Sequence, residues 1–96
     1  MFQHCLTCSS DDFVINTKEN SIAKTLIDEG YDVWFGNNRG NKYSLRHKIL
    51  DIKSKEYWDY SFQDMADFDI PAMINMVLET TGAKKLTYFG HSQGTT

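Results

Sequence analysis

Gly90-His91-Ser92-Gln93-Gly94 stands directly after a short apolar run, Leu86 to Phe89. A G-x-S-x-G pattern that follows a strand is the mark of a nucleophilic serine carried on a tight strand-to-helix turn. The chemistry needs strained backbone there, so that Oγ is pushed into a cleft. It also needs glycine on both flanks, because a Cβ at either place would meet the neighbouring chain. The same turn points the main-chain N–H of Gln93 to where the oxyanion of a tetrahedral intermediate would form. A second N–H is expected from the loop after an earlier strand of the same sheet. His4-Cys5-Leu6 occupies that place, which makes Leu6 the candidate donor. The bland alternative is a glycine-rich turn around an inert serine. The pattern outweighs it because a strand precedes the turn and the chain alternates strand and helix.

A serine of this kind needs a base, and in this order of elements the acid and the histidine follow the serine in the chain. Three histidines are present, and none follows Ser92. His91 is the neighbour of the serine and is expected to project away from Oγ. His4 lies at the loop that supplies the second donor, where a structural hydrogen bond is its expected task. His47 reads as a surface residue. Cys5 and Cys8 make a C-x-x-C pair, a spacing used in redox and zinc chemistry. Zinc would take two further ligands at a suitable spacing. Thioredoxin-like chemistry would put the pair at a helix start, whereas Ser9, Ser10, Asp11 and Asp12 read as a loop. The two cysteines are therefore expected to be incidental thiols.

The elements that must position these residues follow from periodicity and punctuation. Met1 to Gln3 reads as the end of an apolar strand. A polar loop from Thr7 to Asn20 follows, with Phe13, Val14 and Ile15 as a buried patch. Asn20 or Ser21 is placed to cap a helix through Ile22, Ala23, Leu26 and Ile27, and Gly30 to end it. Tyr31 to Phe35 is aromatic and β-branched, a strand. Gly36 to Gly40 breaks it. From Asn41 to Glu56 no period is visible, and the scattered Lys42, Arg46, His47, Lys48, Lys53 and Lys55 read as a solvated loop. Ser61 with Asp64 gives a capping pattern, with Asp in place of the usual Glu. Met65, Phe68, Ala72, Met73, Met76, Val77 and Thr80 then fall on one helical face. Pro71 must kink that helix or divide it near Asp69. Gly82 ends it, and Leu86 to Phe89 is the last strand. The order strand, helix, strand, loop, helix, strand implies right-handed crossovers and a three-stranded parallel sheet with helices on its faces.

Composition narrows the function classes. With 41% apolar and 14% aromatic residues the chain can bury a core, so it is not a disordered segment. A formal charge of −3 over 96 residues gives no footprint for nucleic acid. No apolar run is long enough to span a bilayer. Met1 to Ser10 lacks the charged start and apolar stretch of a secretory signal.

The string from Gly30 to Ser44, GYDVWFGNNRGNKYS, resembles the acid lipase family, which includes gastric and lysosomal lipases and steryl ester hydrolases. Residues 60–66 (YSFQDMA) and 69–72 (DIPA) resemble that family's next helix, and residues 90–96 (GHSQGTT) are similar to its nucleophile turn. The resemblance implies an α/β-hydrolase fold, of which residues 1–96 would form a partial domain. It implies that Ser92 attacks a fatty acyl ester, such as a triacylglycerol or steryl ester, with the N–H groups of Leu6 and Gln93 holding the oxyanion. It implies no cofactor and no metal, a lipid ester partner met at a lipid–water interface, and a secreted or lysosomal setting. Members of the family usually have His-Gly-Leu where this chain has His4-Cys5-Leu6. The Cβ of Cys5 is therefore expected to narrow the oxyanion site or tilt the Leu6 amide. With no acid or histidine after Ser92, the chain reads as a fragment of a lipase, inactive by itself. The alternative is a non-catalytic lipid-binding protein that keeps the acyl pocket without the triad. A third reading keeps the fold with a small carboxylic ester or a peptide as substrate.

Overall fold

A computed structural model describes residues 1–16 and 19–96. Three two-residue strands, β1 (Phe2–Gln3), β2 (Phe35–Gly36) and β3 (Phe89–Gly90), form one parallel sheet in the order β2-β1-β3. The parallel sheet expected from the alternation is present, with shorter strands than expected. Phe2 faces both Phe35 and Phe89, and Gln3 faces Gly36 and Gly90, and the ladder covers only these pairs.

Successive residues of β1 point to opposite sides of the sheet. Phe2, 3% exposed, packs its ring against Phe13 and Phe89 at 5.0 Å and against Phe35 at 5.9 Å. On the other side, the fully buried Gln3 side chain and the Sδ of Met73 crowd Gly36, and a Cβ at position 36 would overlap Gln3 Oε1. Phe13 reaches the core from a 3₁₀ turn, Ser10–Phe13. Val14 and Ile15, expected to be buried with it, are 50% and 77% exposed. A single turn offers only one inward face, and Phe13 occupies it.

Helix α1 (Ile22–Asp28) starts at Ser21, whose Oγ accepts from the Lys24 N–H at 3.4 Å. It ends with the Gly30 N–H donating to Ile27 O and the Tyr31 N–H donating to Leu26 O, the paired bonds of a Schellman motif. The second helical region opens with α2 (Phe62–Asp64). Its capping box is complete, because Ser61 Oγ accepts from the Gln63 N–H and Asp64 Oδ2 accepts from the Ser61 N–H at 2.8 Å. A π-helical turn, Met65–Asp69, follows and leads into α3 (Ile70–Thr81), with Pro71 in its first turn. Proline clashes with the carbonyl four residues before it, and a widened turn relieves that clash while the helix continues. The wide turn also shifts the helical phase. Met65, Ile70, Met73, Ile74, Val77 and Leu78 are covered, whereas Phe68, Ala72, Met76 and Thr80 from the expected face are exposed. Gly82, at φ 71°, closes α3 and donates to Leu78 O at 2.9 Å.

The stretch from Asn41 to Glu56 is irregular and its basic side chains are exposed, as expected. What periodicity did not show is that Tyr57, in the 3₁₀ turn Glu56–Trp58, is only 7% exposed and donates its hydroxyl to Leu45 O at 2.9 Å. The segment after β2 is fastened to the π turn by Arg39. Its Nε and Nη2 donate to Asp69 Oδ1 at 2.9 and 2.7 Å, and its main-chain N–H donates to Asp69 Oδ2 at 2.9 Å. The Asp69 contact holds the guanidinium pKa above its ordinary value.

Two expectations follow. Asp69→Ala strands all three Arg39 donors and is expected to lower stability by about 2 kcal/mol, read from urea melts of the full-length protein. The second concerns Asp64, whose carboxyl is held below the usual carboxylate range by the Ser61 N–H and then by the Ser61 hydroxyl. A depressed folded-state value contributes stability above the unfolded pKa, which is lost as pH falls through the folded one. The stability gap between wild type and Asp64→Ala is therefore expected to shrink below about pH 4. Paired melts across that window measure it, and a gap that stays constant with pH contradicts the cap's electrostatic role.

Candidate active site

After β3 the chain passes through His91, in extended backbone at φ −118°, to Ser92 at φ 53°. A serine in the left-handed region carries a backbone cost of about 1–2 kcal/mol, which the surroundings must hold in place. They do so on both sides of the residue. Upstream, the His91 N–H donates to Gln3 O at 3.0 Å. Downstream, a 3₁₀ turn, Ser92–Thr95, is closed by the Gly94 N–H to His91 O at 2.9 Å and by Thr95 Oγ1 to Ser92 O at 2.6 Å. The glycines are a packing necessity. A Cβ on Gly90 would overlap the Gly94 carbonyl, and one on Gly94 would lie 2.5 Å from Gln3 O and 2.9 Å from His4 O. All of these obstacles are backbone atoms, so none can swing aside.

The loop after β1 is fixed by His4, which is 4% exposed. Its Nδ1 lies 2.8 Å from Cys5 O, and its Nε2 lies 3.1 Å from both the Asn38 N–H and Asn41 Nδ2. A carbonyl only accepts and a main-chain N–H only donates, so the ring is neutral with its proton on Nδ1. The asparagines extend this bracing. Asn37 exchanges bonds with Ser10, and Asn41 Nδ2 donates to Asn37 Oδ1 at 2.7 Å. This network ties the loop after β1 to the loop after β2. Sequence reading left it unassigned, although Gly36-Asn37-Asn38-Arg39-Gly40-Asn41 carries its parts in plain view.

Cys5 and Cys8, expected as incidental thiols, form a disulfide. The Cys8 N–H donates to Cys5 O at 3.2 Å, and Thr7 sits at φ 62°. That is a type II turn with Leu6 and Thr7 at its corners. It brings the two Cα atoms to 5.1 Å, within the reach of a disulfide.

Leu6 and Gln93 line the same cavity, of about 740 Å³, together with the apolar Ile15, Trp58, Phe62 and Met65. Ser92 is exposed and is not part of that lining. Among the described residues, neither the Leu6 N–H nor the Gln93 N–H donates a hydrogen bond. Among the described residues neither the His47 ring nor the His91 ring hydrogen-bonds the Ser92 hydroxyl. His47 Nδ1 accepts from the N–H groups of Ile49 and Leu50, and His91 is exposed. No helix among the described residues is long and apolar enough to cross a membrane.

A strand, a left-handed serine, a short helical turn and a parallel sheet define an architecture, and the comparison with known proteins agrees with it. Residues 1–96 match the alpha/beta hydrolase fold family, and the chain belongs to that family. Within it, the chain is similar to lipases over nearly its whole length. It is 52% identical over 94 residues to human "Lipase member K", covering 98% of this chain and 24% of that protein. It is 50% identical over 93 residues to "Lipase lipl-3" of Caenorhabditis elegans, covering 97% of this chain and 23% of that one. A "Putative lysosomal acid lipase/cholesteryl ester hydrolase" of Crotalus adamanteus is 50% identical over 94 residues, 98% of this chain and 24% of that protein. The chain thus spans about a quarter of the length of the curated relatives it matches.

The backbone contacts at the turn make a sharp expectation. Gly94→Ala is expected to destabilise by more than about 2 kcal/mol, because the strand carbonyls cannot yield. Gly82→Ala, where nothing lies within 4 Å of the added Cβ, meets only the cost of its φ, about 1 kcal/mol. Denaturant melts of the two variants should rank them in that order.

Proposed function

We propose that the full-length protein hydrolyses fatty acyl esters, such as triacylglycerols or steryl esters, with Ser92 as its nucleophile. The observation that carries this reading is the left-handed Ser92 on the turn after β3, followed by Gln93, whose main-chain N–H, like that of Leu6 in the wall of the same cavity, donates no hydrogen bond among the described residues. In the proposed reaction Oγ of Ser92 attacks the acyl carbonyl carbon. The oxyanion forms against the N–H groups of Leu6 and Gln93, the alcohol leaves, and water releases the acyl group. Each such donor lowers the barrier by about 3 kcal/mol in enzymes where one has been removed. The base that takes the Ser92 proton is not His4, whose two ring nitrogens are committed to Cys5 and to Asn38 and Asn41.

The substrate class is supported by the cavity beside Gln93. Leu6, Ile15, Trp58, Phe62 and Met65 give it apolar walls, suited to a hydrocarbon chain. Several of these side chains are well exposed, Leu6 at 61%, Trp58 at 49% and Phe62 at 54%, which fits contact with a lipid–water interface. The printed names of the relatives point to the same chemistry.

Labelling by a serine-directed phosphonate tests the reading. Wild type is expected to label at Ser92, and Ser92→Ala is expected to lose both the label and at least about 10³-fold in kcat on a long-chain ester. Undiminished labelling of Ser92→Ala rejects Ser92 as the nucleophile.

A further inference from the structure

The loop of residues 45–55 has no task in the proposed reaction. Every residue from Arg46 to Lys53 is exposed, and three of them are large aliphatics: Ile49 at 88%, Ile52 at 38% and Leu50 at 36%. Interleaved with them stand four cations, Arg46, Lys48, Lys53 and Lys55, against the single acid Asp51. We propose that this loop docks on an anionic lipid bilayer, with its aliphatic side chains in the headgroup layer and its cations on the acidic headgroups. The inference rests on the reading of a lipid ester substrate only for the choice of a bilayer as the partner.

Charge complementarity carries the first part of the case. The chain as a whole is at −3, so the positive charge of this loop is local and not a property of the surface at large. Other cations are neutralised: among the described residues Lys24 pairs with Asp28, Arg39 with Asp69 and Lys42 with Asp11. Arg46, Lys48, Lys53 and Lys55 have no acidic partner among those residues. A protein segment laid over the loop would bury these charges unpaired or would have to bring an acid for each. An acidic membrane offers many anionic groups at once and lets the long Lys and Arg stems lie along its surface. The aliphatic side chains carry the second part. A bare polyanion such as nucleic acid offers Ile49 nothing apolar to enter, whereas the headgroup–acyl boundary of a bilayer does.

The loop is also held in shape from within. His47 Nδ1 accepts from the N–H groups of Ile49 and Leu50 at 3.1 and 2.8 Å. Asp51 accepts from the Lys53 N–H on Oδ1 at 2.8 Å and from the Ser54 hydroxyl on its carbonyl at 2.7 Å. These two turns satisfy main-chain donors that would otherwise need water, which lowers the cost of entering a less polar layer. The base is fixed by the Tyr57 hydroxyl on Leu45 O at 2.9 Å and by Trp58 Nε1 on Ile52 O at 2.8 Å. A loop shaped before docking loses little conformational freedom when it docks. Trp58 lines the cavity beside Gln93, so the bond to Ile52 ties the docking loop to the wall of that cavity.

The test is flotation of the full-length Ser92→Ala protein with two kinds of vesicle, phosphatidylcholine alone and phosphatidylcholine with about a third phosphatidylserine. At low salt the acidic vesicles are expected to bind at least about thirtyfold more tightly than the neutral ones, and about 0.5 M salt removes most of that difference. Arg46→Gln, Lys48→Gln, Lys53→Gln and Lys55→Gln together are expected to abolish the preference, each single change costing about fivefold. Ile49→Ser is expected to weaken binding to the acidic vesicles about tenfold and to leave the salt dependence in place. All five positions are exposed, so the variants are expected to keep the parent's circular dichroism. The proposal is overturned if the protein binds neither vesicle, as it would with the loop covered by another part of the full-length chain, or binds both equally. It is also overturned if the fourfold variant keeps the preference, or if Ile49→Ser floats like its parent, which marks a site for polyanions in general. Should the fourfold variant not fold, the single changes and the salt dependence decide. Failure of the hydrolase reading looks different: Ser92→Ala then keeps its phosphonate label whatever the vesicles bind.

Discussion

The constraint at the serine turn that can least yield is between backbones. Gly94 lies against the carbonyl oxygens of Gln3 and His4, and Gly90 against the carbonyl of Gly94, with no room for a side chain at either contact. β1 therefore does more than pair with its neighbours. Its carbonyls form the floor on which the serine turn rests, and the His91 N–H is bonded to one of them. The loop bearing Leu6 leaves the same strand three residues after Gln3. One two-residue strand thus sets the relation between the turn and the loop that share the cavity wall.

The middle of the sheet is correspondingly polar on one face. Phe2 gathers Phe13, Phe35 and Phe89 around it, whereas Gln3, His4 and Asn38 are buried polar side chains. His4 is fully engaged. Gln3 is not, because among the described residues neither its Oε1 nor its Nε2 has a hydrogen-bond partner, and Asn38 Oδ1 also lacks one. A buried polar atom left in that state costs about 1–3 kcal/mol. The apolar ring cluster and the Arg39–Asp69 fastening lie around this polar centre, and they supply stability that the centre does not.

What could be read from the sequence was what depends on near neighbours. The Ser21 cap, the Ser61–Asp64 box, the ends at Gly30 and Gly82 and the glycines of the serine turn are all local matters, settled by a side chain reaching two or three residues or by a Cβ that does not fit. The lengths of the strands were not legible, since a ladder is set by pairing between segments far apart in the chain and not by the β-propensity of Val33 or Thr87. Neither was the disulfide. C-x-x-C specifies a spacing, and whether the sulfurs meet depends on Thr7 adopting positive φ, which threonine seldom does. The buried Tyr57 was hidden for a related reason, as its partner Leu45 lies across an irregular stretch with no period to count.

The π turn between α2 and α3 has a consequence for how this segment can vary. It acts as one residue more than an unbroken α-helix would hold between Asp64 and Ile70. Removing one residue there would return the segment to unbroken α-helix with Val77 still facing the core, but it would press the Pro71 ring against the carbonyl four residues before it. A one-residue gap at positions 65–69 is therefore tolerable where Pro71 is replaced with it, and costly where the proline stays.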